Sequence, residues 1–268
     1  MPITSLTWKP VRDPNPESQK FIGACLDGSI IRWQHSMIDE VEHIPLNSDL
    51  KYHAIDYSGD CRQFCIAGAH RYIEIYDEQS MQVVQQIGDK FNPAHTNKVF
   101  SCRYNPQAPS MLVSGGWDRQ VRFWDLRANK LSMSIAGKTS ICGDAVDTSI
   151  CNNYAVTGGG TLGEGVQVWD LRKILTPVCK FKWKRDPSGE VQNPVVNSVR
   201  FVPKTNLVLA GCSDDQLSAI CFDYTTGKAE HYFNSVVGSC FTLDVSKDGK
   251  LACFGDSRGY LHIEDIRY

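Results

Sequence analysis

The sequence is short of the features that most often announce membrane insertion or catalysis. No apolar run approaches the roughly 20 residues a membrane-spanning helix needs, and no stretch holds a 3.6-residue hydrophobic period long enough for a substantial helix. Cys-x-x-Cys and His-Glu-x-x-His are absent, and the seven histidines are scattered. The common zinc-site and zinc-protease signatures are therefore missing. Charge of one sign is also lacking: 28 Lys and Arg face 30 Asp and Glu, a net −2, so no basic field is available to hold a nucleic-acid backbone. The basic-aromatic stretch Lys180–Arg185 is short and reads as an edge strand with Phe181 and Trp183 inward. No signal-peptide pattern opens the chain. The 11 cysteines are odd in number and sit mostly in apolar alternation, so they are expected as reduced, buried thiols of an intracellular protein, cytoplasmic or nuclear.

What the chain has instead is a repeat. Six times a short alternating strand ("ITSLTW", "YHAIDY", "KVFSCRY", "ICGDAV", "VNSVRFV", "CFTLDV") precedes a second strand, then a third that ends in an aromatic or its substitute. These marker residues are Trp33, Tyr76, Trp124, Trp169, Phe222 and Glu264, separated by 43, 48, 45, 53 and 42 residues. Val, Ile and aromatics alternate with polar residues over short runs bounded by Gly, Asp, Asn and Ser, the mark of half-buried strands joined by tight turns. One such unit cannot cover both its faces; stacking units radially can, and about 40–45 residues per four-stranded unit suits a propeller blade. The expected fold class is all-β, a propeller with six recognisable blades at approximately 1–43, 44–90, 91–137, 138–186, 187–235 and 236–268, within one domain.

These repeats resemble the WD-repeat family over nearly the whole chain. The third copy, around "SGGWDRQVRFWDLR", is the best match, and the family's hydrogen-bonded tetrad falls on His95, Ser114, Asp118 and Trp124. The resemblance implies that these four are structural: a buried Asp needs donors, a His can relay between carboxylate and hydroxyl, and an indole N–H needs an acceptor. Elsewhere the pattern decays. Copy one keeps Asp27 and Trp33 but has Gly23 in place of the Ser; copy four keeps Thr157 and Trp169; copies two, five and six lose the Trp and are expected to rely on apolar packing. The chain starts at an inner strand and stops after a third one, so the sixth blade is expected to lack an outer strand. Either the ring has six blades, the last of them three-stranded, or it is a seven-bladed propeller whose N-terminal blade is missing from this sequence. The second is favoured because the family most often has seven.

The run Gly158-x-Gly160-x-x-Gly163 formally matches a dinucleotide fingerprint, but a strand follows it where a helix N-terminus would be required. It reads as an expanded hairpin, and no cofactor is expected. The inner strands are read as offering mainly Ser, Thr, Val and Cys, so neither a catalytic nor a metal site is expected, and no small-molecule substrate. Two surfaces are candidates for partners. "WDLR" recurs in neighbouring copies and "EDIR" echoes it, giving Arg127, Arg172 and Arg267 after third strands. This is similar to the Asp-x-Arg signature of WD-repeat substrate receptors, which implies docking to the adaptor of a cullin-type ubiquitin ligase; the competing and preferred reading is an Asp–Arg pair within each turn. At the second-to-third-strand turn of copy three, Trp117 with Arg119 and Asn97 forms the other candidate, against a reading in which Trp117 folds onto its own blade. The expected role is a non-catalytic scaffold presenting its rims to other proteins; the alternatives are the ligase receptor and, from another class, a propeller hydrolase.

Overall fold

The computed structural model describes residues 2–10, 19–35, 40–106, 108–128, 130–136, 139–149, 153–161, 164–181, 183, 194–214, 218–236 and 238–266. Within them 23 strands form six antiparallel sheets, the blades of a β-propeller. Blade one holds β1 (Ile3–Trp8), β2 (Lys20–Cys25), β3 (Ser29–Gln34) and β4 (Val41–Pro45); blade two β5 (Tyr52–Tyr57), β6 (Gln63–Gly68), β7 (Ile73–Asp77) and β8 (Val83–Ile87). Blade three holds β9 (Val99–Tyr104), β10 (Met111–Gly116), β11 (Gln120–Asp125) and β12 (Lys130–Ala136); blade four β13 (Val146–Thr148), β14 (Tyr154–Gly158), β15 (Val166–Asp170) and β16 (Cys179–Phe181). Blade five holds β17 (Val196–Phe201), β18 (Leu207–Cys212), β19 (Ala219–Asp223) and β20 (Lys228–Tyr232). Blade six has three strands among the described residues: β21 (Cys240–Val245), β22 (Leu251–Asp256) and β23 (Leu261–Asp265). The chain divides into two compact units, residues 1–118 with 122–134 and residues 119–121 with 135–268.

The marker residues share one register. Trp33 faces Phe21, Tyr76 faces Phe64, Trp169 faces Ala155, Phe222 faces Val208 and Glu264 faces Ala252. The inner strands of blades one, two, three, five and six share a second device, a bulge that adds one residue near the start. Thr4, His53, Phe100, Asn197 and Phe241 are the residues stepped over by the pairing. A bulge turns the extra side chain out of the pleat, and here it reaches the next blade. Thr4 Oγ1 lies 3.0 Å from the Tyr52 carbonyl oxygen, and Asn197 Nδ2 donates to the Cys240 carbonyl at 2.9 Å. Blade four departs from the sequence expectation: its inner strand is not "ICGDAV" but Val146–Thr148. Gly143 has a positive φ of 77°, and Asp144 instead forms a parallel bridge with Ser198 of blade five, so regular pairing starts later.

Within each unit the cores lie between successive blades. In the first unit, Ile22 and Ile30 of blade one pack with Ile55, Tyr57 and Phe64 of blade two, and Cys65, Ile73 and Ile75 of blade two pack with Cys102, Tyr104, Leu112 and Trp124 of blade three. In the second unit, Val156, Val166 and Val168 meet Val199, Phe201 and Phe222, while Leu209, Ala219 and Cys221 meet Leu243, Ala252 and Phe254. Each blade thus offers one face forward and one back. Blade one's backward face is open, with Leu6 and Trp8 about half exposed (55% and 54%), although their counterparts Ile55 and Tyr57 are buried. Blade six's forward face is open as well, with Leu261 69% and Ile263 65% exposed where Ile73 and Ile75 are fully covered. Phe181 and Trp183 are buried, and Phe181 stacks on Phe222 with ring centroids 4.2 Å apart, the apolar substitute for blade five's missing Trp.

The described cysteines are free thiols, and burial pushes Cys221 and Cys240 up to about 12, which leaves them protonated and unreactive.

Candidate functional site

In blade three His95 precedes β9, Ser114 lies on β10, Asp118 sits in the following turn and Trp124 is on β11. His95 Nδ1 is 2.9 Å from Asp118 Oδ2, His95 Nε2 is 2.7 Å from Ser114 Oγ, and Trp124 Nε1 donates to Ser114 Oγ at 2.8 Å. A carboxylate only accepts, so Nδ1 carries the ring proton and the Ser114 hydroxyl donates to Nε2. The chain of donors runs one way, from indole to carboxylate. The His95 backbone N–H is fixed by the Arg71 carbonyl at 2.9 Å, which ties this relay to blade two. Burial lowers the His95 pKa against the opposing pull of Asp118, so the imidazole is neutral. Burial would raise Asp118, but the His95 hydrogen bond, the Thr96 N–H and the nearby Arg122 hold it below its ordinary value. Every polar atom of the relay is committed inward.

The other blades keep fragments. In blade four Trp169 Nε1 donates to Thr157 Oγ1 at 2.9 Å. Blade one's Asp27 is not a relay: it accepts from the backbone and hydroxyl of Ser29 in its own turn, and its side chain is half exposed. A Cβ on Gly23 would come within 2.6 Å of Leu6 Cδ2 and 2.9 Å of Ile31 Cγ1, so a serine there would have to shift these side chains. In blade two His70 stands at the position of Asp118, and the Tyr76 hydroxyl lies 3.3 Å from the buried Glu74 carboxylate, on which it can donate a hydrogen bond.

The family model described as "WD domain, G-beta repeat" matches residues 89–125, which span the His95–Trp124 relay. The match and the propeller architecture support a place in the WD-repeat family. The chain is similar to the guanine nucleotide-binding protein subunit beta of Oryza sativa subsp. indica, with 25% identity over 228 residues, 84% of this chain and 53% of that protein. It also resembles the human GATOR2 complex protein WDR24, 27% identical over 125 residues (46% of this chain, 15% of the relative), and Drosophila melanogaster protein lethal(2)denticleless, 25% identical over 213 residues (62% and 26%). The chain spans about half the length of the first of these relatives and less of the others.

Arg127 and Arg172 each close on the Asp two residues earlier. Nε and Nη2 of Arg127 donate to the two carboxylate oxygens of Asp125 at 3.0 and 2.8 Å, and Arg172 repeats this on Asp170 at 2.9 and 2.8 Å. The arginine hydrogen bonds hold both carboxyls down at about 2. Both arginine side chains remain mostly exposed, 73% and 63%. Arg267 lies outside the described residues.

Trp117 is 45% exposed and lies against its own blade. Its ring packs at 4.9 Å on Phe100, the blade-three bulge residue, and Lys98 Nζ sits 5.3 Å above it. Phe100 in turn stacks on His53, the blade-two bulge residue, at 4.7 Å and nearly parallel. Arg119, at a positive φ of 60°, makes an ion pair with Glu164 at 3.2 Å, and Asn97 Oδ1 accepts the Lys98 N–H at 2.8 Å. Sequence reasoning picked Trp117 but missed Phe100, His53 and Lys98, which only the bulges bring to it.

A correction concerns the inner strands. Beyond Ser, Thr, Val and Cys they carry Asp56, Arg103, Asp147, Arg200 and Asp244 at one register position, facing Cys65, Val113, Val156, Leu209 and Cys253. Asp56 receives Thr7 Oγ1 at 3.1 Å and the Tyr104 N–H at 2.9 Å; Asp147 receives the Phe201 N–H at 2.9 Å. The buried Arg200 pairs with Asp144 and reaches Asp244 at 3.4 Å. These charges stitch adjacent blades and were hidden because single charges in alternating strands read as solvent-facing.

Proposed function

We propose that this chain is a non-catalytic scaffold that binds protein partners, with the Trp117 surface of blade three as a principal contact. The observation that carries this reading is a large aromatic packed between Lys98 and Phe100 yet half exposed. Such a side chain loses little entropy on binding and contributes strongly once its surroundings are desolvated. The names of the relatives, a subunit and a complex component, support a role in assemblies. The polar relay of blade three supports it from another side, since its groups satisfy one another and leave none for a substrate. The test is affinity capture with wild-type protein and Trp117→Ala, compared by mass spectrometry. Loss of specific partners from the variant is expected; an unchanged partner set would sink the assignment of this surface.

A second reading, the substrate receptor of a ubiquitin ligase, is favoured by one observation: Arg127 and Arg172 are exposed at equivalent turns of successive blades. Each fork already holds its own Asp, so adaptor contact would use the free Nη1 edge and the flat face. Arg127→Ala with Arg172→Ala should abolish co-purification of a ligase adaptor without changing thermal stability. Adaptor retained by the double variant would dismiss this reading.

A further inference from the structure

The surface around Trp117 has a chemistry that says more than exposure. Blades two and three repeat it. Lys51 and Lys98 each directly precede the inner strand, and their carbonyls accept the N–H groups of Ala69 and Trp117 in the facing turns at 2.9 and 3.0 Å. Next in order come the bulge residues His53 and Phe100, stacked on one another. The turn of blade two contributes Arg71, held at a positive φ of 68° with its carbonyl bound to the His95 N–H, so its segment lies against the approach to Lys98. Lys51, Arg71 and Lys98 are exposed, and none has a carboxylate partner among the described residues. The carboxylate that the blade-three turn supplies, Asp118, is wholly buried behind His95 and cannot neutralise them. His53 lies among these charges: burial, then Lys98, then Lys51 lower its pKa, and it stays neutral and free to stack. An aromatic ladder is thus flanked by three uncompensated cations on a protein whose net charge is −2.

We propose that this surface receives an acidic segment of a partner protein, with an aromatic or large aliphatic side chain seated on Trp117 and Phe100 and carboxylates beside Lys51, Arg71 and Lys98. This rests on the reading of Trp117 as a contact residue and adds the charge of what binds there. Carboxylates gain most against cations that have no internal partner to give up, and an apolar side chain gains by covering the exposed ring. Nucleic acid fits less well. Three cations would neutralise few phosphates, and the chain as a whole repels a polyanion.

The test is fluorescence anisotropy of the purified chain with a short labelled peptide in which Asp and Glu flank a central Phe. Two further probes are the same peptide with Ser in place of the acids and a single-stranded thymidine oligonucleotide. At low ionic strength the acidic peptide should bind at least about tenfold more tightly than the Ser peptide, and the advantage should shrink as salt is added. Lys51→Glu with Lys98→Glu should remove that advantage, and Trp117→Ala should weaken both peptides; circular dichroism should show all variants folded. No binding of the acidic peptide, equal binding of the Ser peptide, tighter binding of the oligonucleotide, or indifference to the lysine reversal would each overturn the proposal. Partner capture separates the two levels: partners lost with Trp117→Ala but kept with the lysine reversal leave the contact surface standing and remove its charge preference.

Discussion

Asp118 illustrates how much a single side chain can hold. Its carboxylate is fully buried and closes the relay from Trp124 through Ser114 and His95. Asp118→Ala strands His95 and the Thr96 N–H, so a loss of roughly 2–4 kcal/mol is expected in urea unfolding; a loss below about 0.5 kcal/mol would mean that the relay contributes nothing. His70, at the matching position of blade two, behaves oppositely. Neither ring nitrogen has a hydrogen-bond partner among the described residues, and burial pushes its pKa down to about 4 from an ordinary 6.5. Below pH 6.5 the unfolded chain takes up a proton that the folded chain refuses. Stability should therefore fall as the pH drops from 6.5 to about 4, by up to roughly 3 kcal/mol from this group. His95, also lowered, adds in the same direction, whereas Asp118 loses its contribution only at still lower pH, as it protonates through its depressed folded pKa. Urea midpoints measured across this range should fall less steeply for His70→Gln than for the wild type; parallel profiles would rule His70 out as the cause.

Among the elements, the bulged inner strand is the working part. In blades one, two and five it gives a side chain that leaves the pleat and meets the next blade: Thr4 at the Tyr52 carbonyl, His53 on Phe100, Asn197 at the Cys240 carbonyl. The same geometry requires glycine opposite. A Cβ on Gly68 would collide with the Lys51 carbonyl oxygen, and one on Gly116 with that of Lys98. Backbone cannot yield as a flexible side chain does. Gly116→Ala is therefore expected to part β9 from the turn that carries Trp117, lowering the melting temperature and weakening peptide binding together. Gly259→Ala makes a control for added bulk, since a Cβ there meets nothing within 4 Å, although its positive φ of 84° carries a strain of its own. If Gly116→Ala melts and binds as the wild type does, the close approach has no role in either.

At the scale of the whole molecule, the open faces of blades one and six matter most. Leu6 and Trp8 in the first unit, and Leu261 and Ile263 in the second, leave apolar surface in water where Ile55 and Tyr57, and Ile73 and Ile75, are covered by a neighbouring blade. Contiguous exposed apolar surface favours association. Leu261→Glu with Ile263→Glu should leave the melting temperature nearly unchanged and reduce concentration-dependent association in sedimentation velocity. The matched change in a covered face, Ile73→Glu with Ile75→Glu, should prevent folding. Association that is indifferent to the blade-six pair would locate its cause elsewhere.

The sequence by itself determined the strand-forming repeat, the marker positions from Trp33 to Glu264 and the grouping of His95, Ser114, Asp118 and Trp124. The repeat and its markers follow from local chemistry, alternation with period two and turn residues at fixed offsets, whereas the grouping of the four is what the resemblance to WD repeats implies. Only the tertiary structure decided that Phe100 and His53 lie beneath Trp117, that Arg200 is buried between Asp144 and Asp244, that blade four starts pairing at Val146, and that Asp27 serves a turn while Asp118 serves a relay. The physical reason is register. A bulge shifts a side chain by one residue without changing the alternating pattern around it, and a charge on a strand is solvated or paired according to what the next blade, some 45 residues away, brings within reach.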